Sequence, residues 1–131
     1  MRINIFSVIL LSLAFGVPAH AQSETGSDLL MKCKTFLNKV DRTSEGPGTA
    51  FDIGFCAGFI GGVLSGAEVW EVTDKIRKQT YPMAFCRPEN ANNGEIIRVF
   101  VKYLEDHPER LHEPAGLLLL TSLSTAFPCK K

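Results

Sequence analysis

Four cysteines are the residues whose type and number most clearly predict a chemistry. Cys33, Cys56, Cys86 and Cys129 are the only cysteines in the 131-residue sequence. No two of them stand two to four positions apart, which is the spacing that structural zinc sites usually need. An even number of cysteines in a small domain predicts two disulfide bonds, and four cysteines allow three pairings. We therefore expect two intramolecular disulfides, no free thiol, and no metal or other cofactor.

The other candidates for chemistry do not form a catalytic pattern. Ser65 lies in the stretch LSGA, which lacks the two flanking glycines of a nucleophile elbow. His107 and His112 adjoin predicted helix boundaries, where histidines commonly just end or start a helix. A catalytic cysteine would need a free thiol near a histidine, and pairing all four cysteines removes it. The acidic residues show no spacing typical of a paired carboxylate site, so we predict that the protein is not an enzyme.

The first 21 residues predict a secretory signal. Arg2 gives a positive start, residues 3–17 are almost wholly apolar, and Ala19-His20-Ala21 offers a small-x-small cleavage pattern. The apolar run is too short for a typical membrane anchor, which is the alternative interpretation. We expect cleavage after Ala21, a mature domain of residues 22–131, and no membrane association after cleavage. Export also agrees with the disulfides, because these bonds form and persist in oxidising compartments.

The charge balance excludes some partner classes. Removing Arg2 from the 14 basic residues leaves 13 against 14 acidic residues, which gives the mature chain a formal charge of −1. Such a balance provides no general attraction to nucleic acid or anionic lipid. Lys75, Arg77 and Lys78 cluster near a predicted helix end, where positive charge suits the helix dipole. We interpret that cluster as a solvated helix end and predict no nucleic-acid partner.

Apolar residues follow helical spacing in four segments of the mature chain. The first is predicted to run from an N-cap at Asp28 to Val40, and the second from about residue 50 to 70, continuing to about Gln79. The third begins at Asn93 as N-cap and ends before Pro108, and the fourth covers about 113–126. The inward residues of the fourth are expected to be Leu117, Leu118, Leu120, Leu123 and Ala126. Strand alternation is absent, so the sequence predicts an all-α fold, a small four-helix disulfide-linked domain.

Glycine recurs every fourth residue along the second helix, at Gly54, Gly58, Gly62 and Gly66, with Gly61 added. Only 15 uncharged residues lie between the nearest flanking charges, whereas a membrane span needs about 20 predominantly apolar residues. Five glycines cost a helix roughly 4–5 kcal/mol relative to alanine. Close approach of a neighbouring helix, or a disulfide at Cys56, would offset that cost. We therefore predict a largely buried helix whose glycine stripe is a packing surface.

A polar connection at 68–83 is the first candidate for a binding surface. The residues expected to bind a partner are Glu68, Trp70, Glu71, Asp74 and Tyr81. Aromatic rings beside charges are typical of binding hot spots. The alternative is that both rings cover the edge of the core. The loop 87–93 is the second candidate surface.

Several motifs together resemble one known family. They are FCAGFIGGV at 55–63, CRP at 86–88, VFVKYLEDHPERLHEPAGLLLLTSLSTAFPC at 99–129, and a helix-borne Cys33. This combination resembles the Tai/Rap-type immunity proteins, which guard bacteria against type VI secretion amidases. The resemblance extends from Cys33 to Cys129, nearly the whole mature chain.

The resemblance implies a periplasmic, disulfide-bonded helical inhibitor. Its partner would be a peptidoglycan amidase effector, whose cleft the inhibitor occupies without catalysing a reaction itself. The protein could also form a homodimer. The rival interpretations are an HdeA-type periplasmic acid-stress chaperone and an envelope adaptor protein. An acid-activated chaperone should be rich in titrating carboxylates and lose structure at low pH. The broad apolar faces and two expected bridges favour a domain that stays folded.

The expected disulfide pairing rests partly on analogy. Cys33–Cys86 would parallel the helix-to-helix link of the HdeA-type proteins. Cys56–Cys129 would then tie the glycine-rich helix to the chain end, and its long loop would restrict the unfolded state by about 4–5 kcal/mol in the chain-entropy model.

Overall fold

Four α-helices and one short 3-10 turn make up the described part of the chain. The structure is a computed structural model that describes residues 23–41, 48–77 and 85–129. Helix α1 spans Gly26–Val40, α2 spans Ala50–Arg77, α3 spans Asn93–Asp106 and α4 spans Ala115–Ala126, with the 3-10 turn Pro108–Arg110 between α3 and α4. Those ranges contain no β-strand, so the predicted all-α, four-helix fold is confirmed. The predicted signal, residues 1–21, lies outside the described residues.

Reciprocal hydrogen bonds at their first turns fix the starts of α1 and α3. The Asp28 N–H donates to Thr25 Oγ1 over 3.3 Å, and the Thr25 N–H donates to Asp28 Oδ2 over 3.0 Å. Asn92 and Glu95 repeat this capping box at α3, with both N···O distances 3.0 Å. The predicted caps, Asp28 and Asn93, are therefore wrong by three residues and by one.

The core lies where α1, α2 and α4 pack around α3. Helix α3 contributes five buried apolar side chains to it, because its apolar residues fall on one broad face. The buried side chains of the four helices are Leu29 and Cys33 from α1, Cys56, Ile60 and Leu64 from α2, Ile96, Ile97, Phe100, Val101 and Leu104 from α3, and Ala115, Leu118, Leu119, Ser122 and Leu123 from α4.

The predicted inward face of α4 is partly wrong. Leu118 and Leu123 are buried as expected, but Leu117 and Leu120 are 52% and 38% exposed. Four consecutive leucines make this helix apolar all round, so its sequence does not select the face that packs. Ala126 is exposed as well, whereas Leu119, which was not among the predicted inward residues, is buried.

The start of α1 is bonded to the turn that precedes α4. The Gly26 N–H donates to Glu113 O over 3.0 Å, and the Ala115 N–H donates to Glu24 O over 2.8 Å. A Cβ atom on Gly26 would lie 2.5 Å from Leu118 Cδ1 and 3.2 Å from Leu111 Cα. This is a position where close packing requires glycine.

The two disulfides are Cys33–Cys56 and Cys86–Cys129, with Cα–Cα distances of 5.1 and 4.8 Å. Two bridges are confirmed, but the expected pairing Cys33–Cys86 with Cys56–Cys129 is wrong. Loop length affects the chain-entropy term only logarithmically, by about 1 kcal/mol between the observed and the expected pairing. The decisive factor is which Cα atoms the packed helices bring within bridging distance. Consecutive helices α1 and α2 meet at Cys33 and Cys56, and both residues are fully buried.

Helix α2 packs on one face only. A Cβ atom on Gly54, Gly58, Gly61, Gly62 or Gly66 would meet nothing within 4 Å among the described residues. The predictions of a largely buried helix and of a packed glycine stripe are therefore wrong, because α1 and α3 contact the opposite side of α2, at Cys56, Ile60 and Leu64. By length and composition alone, α2 would suffice to cross a membrane, as core helices of soluble proteins also can. The prediction that it is not a span stays a prediction.

Candidate functional site

The two surfaces proposed from sequence lie side by side. Helix α2 continues to Arg77, so residues 68–77 are helical rather than a loose connection. The side of the helix that carries Glu68 and Glu71 faces the segment 85–89, which overlaps the second candidate surface, the loop 87–93, at residues 87–89. Of the predicted binding residues, Glu68, Trp70, Glu71 and Asp74 lie on α2, whereas Tyr81 lies outside the described residues.

An open groove of about 440 Å³ separates α2 from the segment 85–89. Leu64 and Phe85 are each only 4% exposed and form an apolar floor with Ala67. The remaining lining residues are Glu68, Glu71, Cys86, Arg87, Pro88 and Glu89. The volume falls within the range of about 300–1,000 Å³ that is usual for ligand pockets.

Covalent and hydrogen bonds hold the loop wall of this groove. Cys86 is bonded to Cys129, and its N–H donates to Phe127 O over 2.8 Å. Arg87 folds back on its own loop, and its Nε–H donates to Ala91 O over 3.0 Å. The Ala91 N–H in turn donates to Pro88 O over 3.0 Å. Since α3 begins directly afterwards, the loop is anchored at both ends and presents a pre-ordered wall.

The groove carries an excess of negative charge. Among the residues that the structure describes, three glutamates and one arginine line the groove, which gives a formal charge of −2. Glu71 accepts a hydrogen bond from Lys75 Nζ over 2.6 Å, and Lys75 is 73% exposed. Glu68 and Glu89 form no ion pair or hydrogen bond with any other residue that the structure describes. Two carboxylates are thus available to a positively charged partner group.

The opposite side of α2 forms a second exposed feature, which we call the outward strip. It consists of Phe51, Gly54, Gly58, Gly62, Ser65, Val69, Val72 and Ile76, all exposed and all on one side of the helix at 100° per residue. The strip contains no charged residue, and its large apolar side chains stand at the two ends with glycines between them. Such a surface is unusual for an isolated domain and typical of an interaction site.

Trp70 lies between the outward strip and the buried face of α2. Trp70 is 59% exposed, so more than half of its surface is left for a partner to contact. A large aromatic side chain with this exposure suits a binding anchor. It does not line the groove, which means that Trp70 and the glutamates would meet different parts of a partner.

The residues considered for catalysis are apart from the groove. His107 ends α3, where its Nδ1 lies 3.1 Å from Glu109 Oε1 and its ring 4.5 Å from that of Tyr103. Ser65 belongs to the outward strip. Among the described residues, no group of three or more histidine, cysteine, aspartate or glutamate side chains could hold a metal ion.

An ion-pair cluster braces the turn that follows α3. Arg110 donates through Nε and Nη2 to the two carboxylate oxygens of Glu113, both over 2.7 Å. The Arg110 hydrogen bonds lower the pKa of Glu113 below its ordinary value. Arg110 also donates to the Tyr103 hydroxyl, so the turn is tied to α3. This cluster stabilises the fold near the start of α1 and does not contribute to the groove.

The groove could not have been found from sequence spacing alone. Phe85, Pro88 and Glu89 were not singled out as site residues, and the segment 85–89 lies at least 14 positions beyond Glu71. The usable signal was the CRP motif, but only the pairing of Cys86 with Cys129 shows where that loop is held.

Together these features define a small, disulfide-linked helical domain whose exposed surface is suited to binding another protein. The chain belongs to the Rap1a immunity protein family, whose model matches residues 25–129. That range includes all four helices and both disulfides. The resemblance to immunity proteins is therefore confirmed at the level of the family. No curated protein and no solved structure matches the chain.

Proposed function

We propose that this protein is a periplasmic immunity protein that binds and inhibits a peptidoglycan amidase delivered by type VI secretion. Membership of the Rap1a immunity protein family supports neutralisation of a secreted effector. The amidase target follows from the motif resemblance between Cys33 and Cys129. The periplasmic location follows from the predicted signal at 1–21 and suits a partner that cleaves the cell wall.

The observation that carries this proposal is the joining of two candidate surfaces into one rigid site. Glu68 and Glu71 face the segment 85–89 across the groove, and the Cys86–Cys129 bridge fixes the loop wall. A pre-ordered surface loses less conformational entropy when it binds, so more of its contact energy contributes to affinity. Inhibition then requires only that the domain blocks the amidase cleft, and no catalytic group is needed.

Co-expression tests the function directly. Each amidase encoded near this gene is exported to the periplasm of cells that produce the full chain, a chain lacking residues 1–21, or neither. Only the full chain should prevent lysis, because the shortened chain would stay on the other side of the membrane from the effector. Intact mass of the protective protein should correspond to a chain that begins at Gln22.

Two results would contradict the proposal in different ways. Equal survival with and without the protein, for every neighbouring amidase, would leave the chaperone or adaptor interpretation in its place. Protection by the chain lacking residues 1–21 would retain the immunity function but refute the periplasmic location.

We also propose that a second copy of the chain covers the outward strip. The charge-free outward strip runs from Phe51 to Ile76 and so extends for about 39 Å at 1.5 Å per residue, which is long enough for an extended helix–helix contact. A twofold pairing presents the same patch on both copies, so apolar residues at both ends of the strip can meet.

Sedimentation should show a dimer for the parent and a monomer for Val72→Glu, whereas Val40→Glu, on exposed α1 surface, should stay dimeric. A monomeric parent at high concentration would refute this pairing.

A further inference from the structure

We propose that the groove between α2 and the segment 85–89 binds an arginine side chain of the effector. This inference rests on the proposed function insofar as the arginine comes from a protein partner. It assigns to the groove a definite ligand chemistry, a planar cation on an aliphatic stem.

The floor of the groove suits the aliphatic part of that side chain. Leu64, Ala67 and Phe85 offer apolar surface below the polar rim. Arginine commonly lays its methylene stem along apolar surface while its charged end reaches polar groups. A bare metal ion would gain nothing from such a floor.

The rim suits the guanidinium. Glu68 and Glu71 are three positions apart on α2 and so lie on the same side of the helix, while Glu89 stands on the opposite wall. Glu68 and Glu89 have no ionic or hydrogen-bonding partner among the described residues. A guanidinium has five N–H donors in a planar fork, which allows it to bond carboxylates on both walls.

No described cation of the groove is positioned to neutralise Glu68 and Glu89. Arg87 lines it, but the Arg87 guanidinium donates to the Ala91 carbonyl and is held by the loop. Lys75 bonds Glu71 from an exposed position, and such a surface pair is weak enough to be exchanged for a partner cation. The unmet negative charge is therefore concentrated at Glu68 and Glu89, where a positive group of the partner would be attracted.

The groove walls are also pre-ordered for this role. The Cys86–Cys129 bridge and the Cys86 N–H to Phe127 O bond hold one wall, and the buried Leu64 anchors the other to the core. A guanidinium entering the groove thus meets carboxylates that are carried on fixed backbone, which lowers the entropic cost of binding.

A peptide titration tests the groove without the effector. The probes are acetyl-Gly-Arg-Gly-amide and the same peptide with citrulline, which keeps the shape of arginine but removes its charge. Binding to the ¹⁵N-labelled protein, purified from the periplasm, is followed through the backbone amide signals of Ala67, Glu68, Phe85 and Arg87. The arginine peptide should shift these signals and the citrulline peptide should not.

Two double variants separate the groove from general charge. Glu68→Gln with Glu89→Gln should weaken binding of the arginine peptide at least tenfold. Glu105→Gln with Glu109→Gln removes the same charge outside the groove and should bind like the parent. No shifts with the arginine peptide, equal shifts with citrulline, or equal weakening by both variants would overturn the proposal.

The effector itself separates this inference from the proposed function. With a cognate amidase in hand, the Glu68/Glu89 variant should bind it at least tenfold more weakly, with a smaller dependence on salt than the parent shows. Full amidase binding by that variant would refute the arginine groove and leave the immunity function standing. If the protein binds the arginine peptide but inhibits no amidase, the arginine groove stands and the proposed inhibition of an amidase is refuted.

Discussion

Replacing Gly58 with alanine should stabilise the domain. Gly58 lies in the interior of α2, its position is exposed, and a Cβ atom there would meet nothing within 4 Å among the described residues. Alanine therefore introduces no clash, and it removes the conformational cost of a helical glycine. That cost is about 0.8–1 kcal/mol, so the free energy of unfolding should rise by about this amount.

The expected shift in melting temperature follows from the size of the domain. A change of 1 kcal/mol moves the Tm by about 4–8 °C for domains of 60–100 residues and by about 2–4 °C for those of 150–250 residues. The 131-residue chain falls between these sizes, so Gly58→Ala should raise the Tm by about 3–5 °C. Thermal and urea unfolding should be followed with both disulfides intact and at concentrations where sedimentation shows a monomer.

Gly26→Ala provides the matched control. A Cβ atom there would lie 2.5 Å from Leu118 Cδ1 and 3.2 Å from Leu111 Cα, so the same substitution should destabilise by about 1–3 kcal/mol. A Gly58→Ala protein no more stable than the parent would refute the reasoning. It would mean that another segment or a second copy packs closely on α2 even in dilute solution.

The remaining predictions concern binding, the bridges and pH. Trp70→Ala should weaken amidase binding by about 2 kcal/mol or more in calorimetric titration while leaving the Tm nearly unchanged, because the ring is exposed. Replacing Cys86 and Cys129 together by serine should lower the free energy of urea unfolding by up to about 4 kcal/mol, since 43 positions separate them. The lowered pKa of Glu113 means that its pair with Arg110 stabilises the fold above the ordinary glutamate pKa. That contribution should be lost as the pH falls through the lowered pKa of Glu113. The melting temperature of Glu113→Gln should therefore fall less between neutral and acidic pH than that of the parent.

Local signals in the sequence were sufficient to predict the helices. The period of the apolar residues located α1, α2 and α3 within a few positions, because a one-sided helix repeats its pattern every 3.6 residues. Caps were less accurate, since Asp28 can serve either as N-cap or as third residue of a capping box. The face of α4 was not predictable, because four consecutive leucines offer every side of the helix to the core.

Long-range features needed the structure. The bridge Cys33–Cys56 depends on which turns of α1 and α2 meet, and spacing along the chain carries no such information. The glycine stripe was interpreted as a packing surface because close approach is one use of glycine, but the absence of side chains is equally compatible with an unpacked face. The groove requires Glu68 and Glu89 to lie on opposite walls, and their spacing along the chain does not predict this.

The exposure of α2 has a physical explanation in how the rest of the domain is stabilised. The five glycines of this helix cost roughly 4–5 kcal/mol, and burial of Cys56, Ile60 and Leu64 is its main apolar contribution to the core. The Cys33–Cys56 bridge, with a sequence separation of 23, nominally contributes about 3–4 kcal/mol and offsets most of that cost. The bridge thus allows a weakly packed helix to remain docked while most of its surface stays uncovered. For a member of an immunity protein family, that arrangement leaves both the outward strip and the groove available for partners, because neither surface is needed to stabilise the fold.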